Sequence, residues 1–66
     1  MYLAKKDKFK DLDMLKKDIA KEVGITIFTL SRIINRVCTT SKTTAYCIVK
    51  TINKNAEIED FFEKNN

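Results

Sequence analysis

Residues 16–35 read KKDIAKEVGITIFTLSRIIN and contain the only glycine of the chain, Gly24. Apolar side chains recur at helical spacing on both sides of this glycine, which predicts two short amphipathic helices with one buried face each. These side chains are Ile19, Ala20 and Val23 before the glycine, and Leu30, Ile33 and Ile34 after it. Two such helices joined by a short corner are typical of a helix-turn-helix.

The residues at the corner suit this packing. Ala20 is small enough to let the two helices cross closely. Gly24 can end the first helix in a left-handed conformation, which strains residues that carry a Cβ. Ile25 is expected to fill the corner from inside, and Thr26 to cap the second helix. An ordinary helical hairpin would need the same corner. The outward face of the second helix therefore has to decide between such a hairpin and a helix-turn-helix.

The outward face of the second helix carries polar side chains that suit a nucleic acid: Ser31, Arg32 and Asn35, with Thr29 on the flank. Arginine and asparagine can form bidentate hydrogen bonds with guanine and adenine in the major groove. Ile27 and Phe28 lie beside them and could cover thymine methyl groups or sugar edges. The alternatives are a contact with another protein, or a Phe28 side chain folded back over the core.

Length and composition exclude most other functions. A chain of 66 residues predicts one domain, residues 1–66, which buries only about 60% of the surface of its unfolded form. This leaves little room for a catalytic pocket. The chain has no histidine, and its scattered acidic residues assemble neither an acid/base pair nor a nucleophilic triad. We expect a protein that is not an enzyme and has no cofactor or small-molecule ligand.

The two cysteines do not predict a metal site. Cys38 and Cys47 have no further cysteine or histidine to complete a tetrahedral ligand set, so we interpret them as free thiols. A lysine-rich chain without a signal peptide or a long apolar run is expected in the cytoplasm, where thiols stay reduced, and not in a membrane.

Charge is unevenly distributed along the chain. Residues 14–54 contain eight basic and two acidic residues, whereas residues 55–66 contain four acidic residues and one basic residue. The basic region includes the predicted helix-turn-helix and would attract a polyanion in a salt-dependent manner.

A third helix is predicted at residues 42–53, after a loop at residues 36–40. Ser41 is its expected N-cap, and its apolar stripe consists of Ala45, Ile48, Val49 and Ile52. Backbone N–H groups at its start, together with Lys42 and the hydroxyl groups of Ser41 and Thr43, could hold a DNA phosphate. The alternative is an ordinary cap without a ligand.

Both ends of the chain are predicted to be helical, over about residues 3–10 and 57–63. Asp11 or Asp13 is a candidate cap for the segment that follows the first of these helices. At the other end, one or two of the aromatic side chains should close the core. If Phe61 and Phe62 were both exposed, they would form with Ile58 an apolar patch suited to a two-fold dimer contact.

The quoted residues carry a family resemblance. DIAKEVGITIFTLSRIIN at residues 18–35, SKTT at 41–44 and IEDFF at 58–62 resemble the Cro/CI-type (XRE, lambda-repressor-like) DNA-binding domains of phages and Firmicutes mobile elements. GITIFTLSRIIN and SKTT are also similar to the headpiece of lactose-repressor-type regulators. The resemblance implies a compact all-α domain of four to five helices whose helix-turn-helix covers about residues 16–35.

The resemblance also implies roles for individual residues. Base-reading positions fall on Ile27, Phe28, Ser31 and Arg32. Phosphate-facing positions fall on Lys16, Thr26, Thr29, Asn35 and the start of the Ser41 helix. With the neighbouring basic and hydroxyl side chains, the complete expected phosphate set is Lys16, Thr26, Thr29, Asn35, Arg36, Ser41, Lys42 and Thr43.

The sequence therefore predicts a sequence-specific DNA-binding transcriptional regulator, with a repressor as the first choice. The helix at about residues 26–35 is expected to lie in the major groove of an operator. One domain presents one short half-site, so a homodimer on a palindromic operator is expected. The alternative is a protein-interaction module, an antirepressor or inhibitor, that uses Ile27 and Phe28 against another protein.

Overall fold

The fold combines helices with a small sheet. The computed structural model describes residues 1–10, 12 and 14–65. Its elements in chain order are strand β1 (Tyr2–Ala4), a 3-10 turn (Lys6–Phe9), helices α1 (Lys16–Val23), α2 (Ile27–Ile34), α3 (Lys42–Ile52) and α4 (Ile58–Phe61), and strand β2 (Phe62–Lys64). The predicted all-α class is therefore wrong, because β1 and β2 pair as an antiparallel sheet.

The two ends of the chain account for this correction. The helix expected at residues 3–10 is replaced by β1 and the 3-10 turn, and the last helix ends at Phe61 where a helix to residue 63 was expected. In the sheet, Leu3 lies opposite Glu63. Backbone N–H and C=O groups need hydrogen-bond partners. Here the N-terminal strand β1 and the C-terminal strand β2 supply these partners to each other. The candidate caps Asp11 and Asp13 lie outside the described residues.

The central helices form where the sequence predicts them. Gly24 ends α1 in the left-handed conformation, with φ of +90°, and its N–H donates to the Ala20 carbonyl over 2.8 Å. The Thr26 hydroxyl accepts the N–H of Thr29 at 3.1 Å, so Thr26 is the N-cap of α2. Ser41 caps α3 in the same way, accepting from the N–H of Thr44 at 3.3 Å.

The core lies where α1 packs against both α2 and α3. Its buried side chains are Ala4, Phe9, Ile19, Ala20, Leu30, Ile33, Ile34, Ala45, Ile48, Val49, Ala56, Ile58 and Phe62. An aromatic cluster closes the end near the sheet, where the Phe9 ring centroid lies 5.3 Å from that of Phe61 and 5.7 Å from that of Phe62.

This packing corrects the expected dimer contact. Ile58 and Phe62 are buried in the core of the single chain, and Phe61 is partly buried against it. These side chains cannot form an exposed patch, because they are used to close the small core. A homodimer remains a prediction, but it needs another surface.

Arg36 joins the end of α2 to both strands. Its guanidinium donates from Nη1 to the carbonyl of Ala4 in β1 over 2.9 Å, and from Nη2 to Oε1 of Glu63 in β2 over 3.3 Å. Tyr2 and Thr40 add two backbone hydrogen bonds, of 2.7 and 2.8 Å, between β1 and the loop before α3. The sheet therefore holds the segment that connects α2 to α3.

Substitution of Gly24 tests the left-handed backbone conformation at the end of α1, because an added Cβ would not clash with other atoms. A Cβ added at Gly24 would meet no atom within 4 Å, so a cost of Gly24→Ala must come from the positive φ. We expect this substitution to lower the free energy of unfolding by about 1 kcal/mol. Urea denaturation measures it, with Lys21→Ala on the exposed face of α1 as the control. A loss no larger than in the control would contradict the assignment.

The two contacts of Arg36 predict unequal effects. Arg36→Ala removes the donor to the carbonyl of a buried residue, so we expect a loss of about 1 to 2 kcal/mol in the free energy of unfolding. Glu63→Gln removes only an ion pair whose side chains are 40% and 49% exposed, which should cost less than about 1 kcal/mol. Equal losses in the two variants, measured by urea denaturation, would show that the Ala4 hydrogen bond is unimportant.

Candidate nucleic-acid interface

The outward face of α2 is centred on Phe28 and Arg32. Successive residues of an α-helix are rotated by about 100°, which places these two side chains opposite the buried stripe that includes Leu30. Phe28 is 75% exposed, the highest value among the exposed large apolar side chains of the described residues. The alternative in which Phe28 folds back over the core is therefore wrong. Ile27 lies on the flank and is 43% exposed.

Polar groups accompany Phe28 on this face. Asn35 Nδ2 donates to the Ser31 hydroxyl over 3.3 Å, so these two side chains form one polar unit near the end of α2. On the opposite flank the Thr26 hydroxyl donates to that of Thr29 over 3.0 Å. Arg32 is exposed and lies within ion-pair distance of no described acidic residue. Its guanidinium is therefore available for a ligand.

The start of α3 presents a second set of donors. The Ser41 hydroxyl accepts from the backbone of Thr44 and donates to its side-chain oxygen over 3.2 Å. Lys42 and Thr43 are exposed beside it. With the free N–H groups of the first turn, these side chains can coordinate a phosphate group.

The helices carry uncompensated positive charge. Within the described part of the chain, the two ion pairs join Lys10 to Asp7 and Arg36 to Glu63, and neither involves a side chain of α1, α2 or α3. The expected interface residues Lys16, Arg32 and Lys42, which lie in these helices, are thus free to meet an anion. Lys16 and Lys42 are both exposed.

Arg36 belongs to the expected phosphate set, and its phosphate contact stays a prediction. Its guanidinium is engaged by Ala4 and Glu63, so its role in the isolated chain is to hold the sheet against the end of α2. Charge alone suggested a phosphate contact, because a basic residue after the second helix looks the same in sequence whichever way it points. Its positive φ of 64° is not visible in the sequence either.

Sequence reasoning missed two exposed apolar side chains beside the motif. Leu15, just before α1, is 61% exposed, and Val37, just after α2, is 71% exposed. Neither lies inside a helix, so helical periodicity gives no signal for them. With Ile27 and Phe28 they are the exposed large apolar side chains of this region among the described residues.

Metal ligands, thiols and membrane spans are also relevant to function within the part of the chain that the structure describes. The described residues contain no group of three or more side chains placed to hold a metal ion, and Cys38 and Cys47 are exposed and unpaired. None of the helices in this part of the chain has the length and apolar character of a membrane span.

Comparisons with family models, with curated proteins and with solved structures give no match to this chain.

Proposed function

We propose that this protein is a sequence-specific regulator of transcription, in the first place a repressor, that binds double-stranded DNA with α2 in the major groove. The observation that carries the proposal is the outward face of α2, where Phe28 and Arg32 are exposed opposite the core and Asn35 lies with Ser31 beside them. The major groove is about 12 Å wide and admits an α-helix. An eight-residue helix spans about 12 Å, enough for one short half-site.

The surroundings of α2 support the same proposal. A helix that reads bases needs phosphate contacts on its flanks to fix its position on the duplex. Lys16 at the start of α1 and the Ser41–Thr43 segment at the start of α3 offer such contacts, and α1 packs against both α2 and α3. The resemblance to Cro/CI-type domains agrees with this use, and two copies on a palindromic site would supply the affinity that one half-site lacks.

Phosphate binding predicts a specific salt dependence. Affinity for a random duplex should fall steeply with salt, and Lys42→Ala should reduce the slope of the logarithm of the binding constant against that of salt by about 0.9. Lys54→Ala is the matched control, because Lys54 is an exposed lysine beyond the opposite end of α3. Equal slopes for Lys42→Ala and the wild-type protein would remove Lys42 from the interface.

Arg32 predicts a loss of specificity. A bidentate contact with guanine contributes about 1 to 3 kcal/mol to discrimination. Arg32→Ala should therefore weaken binding mainly at one base position. Selection of bound duplexes from a random pool, with the wild-type protein and with the variant, measures this directly. A variant that selects the same sequences as the wild-type protein would refute the placement of α2 in the groove.

The second candidate function is that of a protein-interaction module. It is favoured by the exposure of Phe28 and Val37, at 75% and 71%, because apolar side chains left in water often mark a protein contact. The salt series separates the two candidates. A protein that binds no duplex even at low salt would support the interaction module, whereas a steep salt dependence supports the regulator.

A further inference from the structure

We propose that Phe28 selects a thymine through its C5 methyl group, and that this thymine lies within about two base pairs of a guanine read by Arg32. The inference rests on the proposed function and adds to it the composition and spacing of the half-site. It depends on where α2 places one apolar and one cationic side chain, both exposed.

The position of Phe28 on α2 favours the base edges over the sugars. Phe28 and Arg32 are four residues apart, so they lie almost in line along the helix and opposite the buried Leu30. When α2 lies in the major groove with its buried face toward the rest of the protein, the line through Phe28 and Arg32 faces the base pairs. The flanking positions of Ile27 and Thr29 face the groove walls, where the sugars and phosphates lie.

The chemistry of the groove then selects the partner. Base edges in the major groove present hydrogen-bond donors and acceptors and a single apolar group, the thymine methyl. A phenyl ring forms no conventional hydrogen bond with the polar edges, so a methyl group is its favourable partner there. The first turn of α2 contains no acidic residue that would repel the DNA beside Phe28.

Helix geometry sets the spacing. Four residues of an α-helix rise by about 6 Å, and base pairs are stacked about 3.4 Å apart. A helix in the major groove is inclined to the DNA axis, and side chains three to four residues apart can read successive bases. Arg32 therefore reaches about one to two base pairs beyond Phe28. Arg32 is the donor at that point, and guanine O6 and N7 are the acceptors that its guanidinium matches.

Uracil substitution tests the methyl contact. In a duplex selected by the wild-type protein, each thymine of the half-site is replaced in turn by deoxyuridine, which removes the methyl group and keeps the pairing edge. We expect one replacement to lower affinity about fourfold, the equivalent of burying one methyl group. In Phe28→Ala the same replacement should have no effect. Tyr46→Ala, which truncates an exposed aromatic side chain of α3, should keep the penalty.

The outcomes separate this inference from the proposed function. Sequence-selective binding without any uracil penalty, or a penalty that persists in Phe28→Ala, overturns the thymine contact and leaves the regulator standing. Failure to select any duplex overturns both. Because Phe28 is mostly exposed, its truncation leaves the core intact, and thermal unfolding of the variant checks this.

The spacing has its own test. Replacing guanines by 7-deazaguanine, which lacks the N7 acceptor, should weaken the wild-type protein at one position and leave Arg32→Ala unaffected. A sensitive guanine four or more base pairs from the sensitive thymine would overturn the proposed spacing.

Discussion

The packing of α1 against both α2 and α3 is the constraint on which the rest of the structure depends. Ile19 and Ala20 are buried at this junction, and the small side chain of Ala20 lets the helices approach closely. Because one helix contacts both neighbours, it fixes the outward face of α2 relative to the start of α3. A change at this junction would therefore move both elements of the candidate interface together.

The same constraint explains why the chain ends must pair. Three short helices leave the core open on one side, and a domain of this size has few apolar residues with which to close it. Ala4 in β1 and Phe62 in β2 complete the core, at 0% and 1% exposure. The sheet that carries them is anchored to α2 by Arg36. The strands thus cover the open side of the helices. This is why Phe9 and Phe62 are buried and Phe61 is partly buried at this end of the protein.

The sequence predicts the central helices well because their signals are local. Gly24, Thr26 and Ser41 mark the ends of helices through contacts within a few residues, and helical periodicity identifies the buried faces. The strands give no such signal, since Leu3 pairs with Glu63 at the far end of the chain. The contacts of Arg36 were missed for a related reason. Its partners Ala4 and Glu63 lie in strands that local patterns do not predict.

The exposure of Phe28 has a physical meaning that its residue type alone does not provide. Phe62 and Phe28 have identical side chains, yet one is 1% and the other 75% exposed, and their places in β2 and α2 determine which. A phenyl ring that is 75% exposed contributes little to the stability of the isolated chain, since most of it contacts water in the folded state as in the unfolded one. Under the proposed function a DNA surface would remove it from water, and the exposed Arg32 one turn away would find hydrogen-bond acceptors on the same surface. The base edges of a DNA major groove combine both properties within about 6 Å, the rise of four helical residues.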